Sequence, residues 1–74
     1  MLEPSDILSF EESAPKTIGA KEEAIRMQLG ISPVRYYQRL NIVIDMPEMM
    51  EKYPQLTARL RRIRDQRATE RNQT

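Results

Sequence analysis

Five residues in one short run, Ser32, Val34, Arg35, Gln38 and Arg39, have the types and spacing to read the edges of base pairs. A guanidinium can fork onto guanine O6 and N7, and a carboxamide can pair with adenine. A second set, Arg59, Arg61, Arg62 and Arg64, would meet phosphates near a duplex, adding affinity without sequence information. Tyr37 stands at the boundary of the first set, placed to reach a phosphate or to fill a gap. A third set, Glu3, Asp6, Glu11 and Glu12, is acidic and suits docking against a basic partner surface.

Covalent chemistry has little to work with. Histidine and cysteine are both absent, which removes the commonest general base and the commonest metal ligands. The carboxylate pairs Glu11-Glu12 and Glu22-Glu23 read as surface residues flanking helix starts, where the helix dipole favours them. A two-carboxylate hydrolase needs a walled pocket, and 74 residues offer little material to build one. The expectation is a protein that is not an enzyme, with no cofactor, no metal and no small-molecule ligand.

The elements that must position these groups read as helices throughout, because no stretch alternates apolar and polar residues over a strand length. An acidic first helix is expected over about 5–14, with Ser5 as N-cap and Ile7, Phe10 and Ala14 on one face, ending before Pro15. Thr17-Ile18-Gly19 opens the next, with Ile25 and Leu29 one turn apart and Ile18 and Ala24 in support, and Gly30 closes it in the left-handed conformation. Ser32-Pro33 restarts the chain as N-cap and N1. Tyr36, Leu40, Val43 and Ile44 then form a core stripe, with Arg35, Gln38, Arg39 and Ile42 opposite. Asp45-Met46-Pro47-Glu48 reads as a new cap leading into a short helix over about 47–53. Met46, Met49 and Met50 read as core filling beside it. A basic helix follows over about 54–68, with Leu56, Leu60 and Ile63 on one edge, and 69–74 reads as a polar flexible tail.

The fold class is therefore all-α. Four to five short helices form one domain over 1–68, built around a helix-turn-helix over about 19–45, with no sheet. A helix, a glycine-containing turn and a second helix are the parts of that motif. Leu29 and Ile31 pin the two helices, Tyr36 and Leu40 pack the second against the first, and the second helix's N-terminal turns are left to enter a major groove. Arg26 stands where many such motifs carry an alanine close to the second helix, so either the helices are spaced differently or Arg26 points to solvent. A helical hairpin used only for packing is the plainer reading of the same residues.

The net charge of +1 hides a gradient: 1–18 sum to −3, 19–58 balance, and 59–74 carry +4. That asymmetry fits an acidic end meeting one partner and a basic end meeting a polyanion. Equally, the basic end reads as a solubilising helix in which Asp65 and Glu70 pair locally. No apolar run reaches the length of a membrane span and no signal peptide is visible, so a cytoplasmic setting is expected, nucleoid-associated if the protein binds DNA.

The segment from Lys21 to Glu48, KEEAIRMQLGISPVRYYQRLNIVID followed by a proline-glutamate turn, resembles a small actinobacterial and actinophage family of unknown function. The likeness rests on the lysine-glutamate-alanine-isoleucine-arginine start and the phrase Arg35-Tyr36-Tyr37-Gln38. It continues through Leu40-Asn41, the Asp45-x-Pro47-Glu48 turn and the stretch Leu60-Arg61-Arg62-Ile63-Arg64, covering roughly 5–67. Arg26 fits that pattern. The resemblance implies a helical DNA-binding fold without a wing, related to the helix-turn-helix portions of sigma-like factors, and implies no catalytic residue.

These readings converge on a double-stranded-DNA-binding protein acting in transcription. In the fullest version it is an accessory subunit of RNA polymerase, or the associate of a sigma factor, whose acidic first helix holds the enzyme. A free homodimeric regulator is the nearer alternative, and a helical protein-interaction module that never touches nucleic acid is the other.

Overall fold

The computed structural model describes residues 2–72, with side chains described for 2–67. Among the described residues every regular element is a helix: α1 (Pro4–Ser13), α2 (Ile18–Ala24) running into a π turn (Ile25–Leu29), α3 (Pro33–Val43), α4 (Pro47–Lys52) and α5 (Pro54–Asn72). The fold is all-α, as the sequence pattern requires.

Proline sets four of the five starts. Pro4, Pro33, Pro47 and Pro54 each occupy the first helical position, where the fixed φ suits the helix and the missing N–H would have had no acceptor. Two caps differ from expectation. The N-cap of α1 is Glu3, not Ser5, because Pro4 already takes the first helical position. The Asp6 carboxylate accepts from the Glu3 N–H at 2.9 Å and closes the entry. The N-cap of α4 is Met46, not Asp45, which leaves the Asp45 carboxylate free for a different task. The cap of α3 is the expected one: Ser32 Oγ accepts from the Arg35 N–H at 3.2 Å.

The core gathers Ile7, Leu8 and Phe10 of α1, Ile25 of the π turn, Tyr36, Leu40 and Val43 of α3, and Ile44. Fully burying side chains such as Leu8, Ile25 and Ile44 contributes roughly 1.5–3 kcal/mol each. Tyr36 lies at the centre, edge-to-face with Phe10 at 5.5 Å between ring centroids. Thus α3 packs chiefly on α1, with the π turn as its second neighbour. The acidic first helix is a layer of the core rather than an arm beside it. Leu8 is an addition to the expected core, whereas Ile18, expected to support it, is 72% exposed.

The π turn explains Arg26. Its last N–H, from Gly30, is shared between the carbonyls of Ile25 and Arg26, at 3.2 Å each. That wider turn holds one more residue than an α-turn. Ile25 stays inside, and Arg26 points to solvent with Glu23 at 3.8 Å. Gly30 then takes φ +70°, the left-handed corner that only glycine adopts without strain.

Met46, Met49, Tyr53, Leu56 and Leu60 pack half-buried against the core. The Thr57 hydroxyl, buried where α5 meets that core, donates back to the Tyr53 carbonyl at 2.8 Å. Helix α5 runs to Asn72, past the end expected at about 68; 73–74 lie outside the described residues.

Candidate nucleic-acid interface

Helix α3 has two unlike sides, and the burial of one fixes the exposure of the other. Tyr36, Leu40 and Val43 face the core. Arg35, Gln38, Arg39 and Ile42 follow at i, i+3, i+4 and i+7, so they share the opposite stripe, about 10 Å long. Arg35 and Gln38 are exposed, Arg39 is half-exposed, and Ile42 is 68% exposed. Val34, also 68% exposed, lies on the flank beside Gln38. Pro33–Val43 contains no carboxylate, and no ion pair among the described residues uses Arg35 or Arg39. The outer face therefore carries two guanidinium groups and a carboxamide with an aliphatic patch at its far end. Ser32 caps this helix with its oxygen, and its hydroxyl proton remains available to an acceptor.

Tyr37 is not part of that face. Its position two residues after Arg35 turns it toward α2, where it lies edge-to-face with Tyr36 at 5.3 Å. The Lys21 ammonium sits 5.5 Å from its ring centroid. Of the two roles read for Tyr37, phosphate contact or gap filling, these ring contacts support the second, between α2 and α3.

The arginines of α5 divide in two. Arg59 and Arg62, at i and i+3, are exposed, and no ion pair among the described residues uses them. Arg61 and Arg64 instead grip Asp45, at 3.3 and 2.9 Å. Arg64 also reaches the Asn41 carbonyl at 3.4 Å, near the carbonyl end of α3, where a cation opposes the helix dipole. The hydrogen bond from Arg64 holds the Asp45 carboxyl below its ordinary value, and the same bond raises Arg64. Both groups are substantially exposed, so the linkage is weak individually and works mainly as a brace between α5 and the end of α3. Four equivalent phosphate-binding arginines were expected, and two of them have this internal task.

The acidic set divides likewise. Glu12 is exposed, and Glu3 and Asp6 are exposed at the entry to α1. Glu11, expected to be an exposed docking group, is corrected by its surroundings: its side chain is 8% exposed and pairs with Lys21 at 2.8 Å. Its other oxygen accepts the Tyr36 hydroxyl. Burial first, and then the hydrogen bond and charge of Glu11, push the Tyr36 hydroxyl far above its ordinary value. This clasp joins α1, α2 and α3 across 25 residues of sequence. No sequence signal marks it, because neither partner breaks a local pattern.

No group of three or more candidate metal ligands occurs among the described residues, and no helix of the described chain is long and apolar enough to cross a membrane. No match was found among curated proteins or solved structures. A family model described as a protein of unknown function (DUF3263) matches residues 2–72, so nearly the whole chain is accounted for and the protein belongs to that family.

Proposed function

We propose that this protein is a small helix-turn-helix protein that binds double-stranded DNA with the outer face of α3 and acts in transcription. The observation that carries the reading is the stripe Arg35, Gln38, Arg39 and Ile42: outward, without carboxylates, and backed by a core that holds α3 from the other side. Guanidinium and carboxamide groups at that spacing match the donor and acceptor edges of a major groove. Arg59 and Arg62 supply phosphate contacts, while Arg61 and Arg64 brace α5 against Asp45. The helix, left-handed glycine and capped second helix support the motif, as does the resemblance to an actinobacterial and actinophage family. In the finer form of the proposal the protein rides beside RNA polymerase or a sigma factor. Glu3, Asp6 and Glu12 are then the carboxylates offered to a basic surface, since Glu11 is engaged internally.

The test is fluorescence anisotropy with labelled duplexes recovered by selection from a random pool. Binding should weaken steeply with salt. Arg35→Ala with Arg39→Ala should erase preference for the selected sequence, whereas Arg59→Ala with Arg62→Ala should weaken all duplexes alike. Absence of duplex binding, by the protein alone and by its complex with polymerase, would overturn the proposal and leave the protein-interaction module standing.

A further inference from the structure

A groove of about 630 Å³ opens on a different side of the molecule, between α2, α3 and α5. Tyr37, Ile18, Leu60 and Ile63 give it an apolar lining, and Lys16 and Arg67 stand among its charged residues. Ile18 is 72% and Ile63 38% exposed, a large apolar exposure for a chain with so small a core. On α3 and its C-cap the groove is lined by Tyr37, Leu40, Asn41 and Ile44, whereas Arg35 and Gln38 take no part in it. An occupant there leaves the outer face of α3 open.

Charge decides what fits. Two of the cations along the groove already have partners: Lys21 holds Glu11, and Arg64 holds Asp45. Lys16 and Arg67 are exposed, and the ion pairs among the described residues do not use them. Glu22, half-buried at the edge, is the opposing charge. Cations outnumber carboxylates along this lining, so a second copy laid groove to groove would bring like charges together. A phosphate backbone would satisfy the cations but leave the isoleucines wet.

We infer that this groove docks an acidic amphipathic helix of a partner protein, its apolar residues against Ile18 and Ile63 and its carboxylates on Lys16 and Arg67. Glu3, Asp6 and Glu12 take no part in this groove, so it is a second docking surface, of opposite sign to the one offered by the acidic first helix. It also separates partner binding from DNA binding in space, which lets both occur on one small chain.

The probe is a labelled synthetic peptide of about 14 residues, roughly four helical turns, with leucines at i, i+3 and i+7 and glutamates on the remaining face. A second peptide replaces each glutamate by lysine. The acidic peptide should bind saturably and shift the Ile18 and Ile63 methyl resonances, with the basic peptide at least about tenfold weaker. Lys16→Glu with Arg67→Glu should cost the acidic peptide about tenfold or more, Ile18→Ser should weaken it, and Glu22→Gln should tighten it. All these positions lie at the surface or its edge, and circular dichroism verifies that each variant folds. Arg35→Ala should leave peptide binding unchanged, so failure here is distinguishable from failure of the DNA reading. Equal binding of both peptides, or indifference to the charge reversals, would overturn the inference. So would burial of the Ile18 and Ile63 methyls by self-association, or their displacement by duplex DNA instead of peptide.

Discussion

Replacing Glu11 by alanine should damage this fold far more than replacing its neighbour Glu12. The Glu11 side chain is 8% exposed and Lys21 17% exposed, so the pair is mostly shielded from water. Removing the carboxylate takes away a charge-assisted bond to Lys21 and leaves the Tyr36 hydroxyl, in a fully buried residue, without its acceptor. An unsatisfied buried donor costs about 1–3 kcal/mol, and a charged hydrogen bond contributes a comparable amount. Some rearrangement toward water is open to the Lys21 stem, so the combined loss should be about 2–3 kcal/mol. A domain of this size has a total stability of roughly 4–11 kcal/mol, so a large fraction disappears. The Tm should fall by roughly 10–20 °C. Glu12→Ala, at an exposed site, should stay within about 0.5 kcal/mol of the parent. Urea unfolding followed by circular dichroism measures all of this. Equal midpoints for the two variants would refute the clasp and return Glu11 to the list of docking groups.

Other predictions follow from the same contacts. Because the Tyr36 hydroxyl titrates above its ordinary value of 10.0, its stabilising effect is complete below that pH and is lost as pH rises beyond it. Alkaline unfolding should therefore steepen above about pH 10, and Tyr36→Phe should flatten that limb while costing about 1–2 kcal/mol at neutral pH. Asp45 titrates below its ordinary value of 3.8, so its contribution is present above that value and lost as pH falls below it; Asp45→Asn should remove a small acid-dependent loss of stability. Gly30→Ala should cost roughly 1–2 kcal/mol through backbone strain alone, since an added Cβ meets nothing within 4 Å. In duplex binding, Arg59→Ala and Arg62→Ala should each reduce the slope of log K against log salt by about 0.9. Arg64→Ala should lower thermal stability instead.

What the sequence disclosed, and what it hid, divides along a physical line. Helix α3 was legible because everything that specifies it is local: Ser32 and Pro33 start it, and Tyr36, Leu40, Val43 and Ile44 repeat at the helical period. The outer stripe of α3 followed by subtraction. Contacts spanning many residues left no such mark. Nothing near Glu11 distinguishes it from Glu12; only α3 crossing α1 selects one for the Tyr36 hydroxyl. Asp45 looked like a cap because it precedes Met46-Pro47, yet two arginines on α5 claim it. Leu8 lies beside Ile7 and off the single stripe that Ile7, Phe10 and Ala14 define, and it is buried because α1 is covered over a wider arc than one stripe. Ile18 failed in the opposite direction, since one apolar residue in the first turn of a short helix says little about what lies across from it. The groove, assembled from three elements, was invisible for the same reason.

The most direct measurement of the DNA reading is an amide and side-chain resonance titration of the isotope-labelled protein with a short duplex. Shifts should concentrate on Val34, Arg35, Gln38, Arg39 and Ile42, with smaller ones at Arg59 and Arg62 and none at Ile18 or Ile63. Shifts confined to α1 or the groove, or a spectrum unchanged at saturating duplex, would contradict that reading.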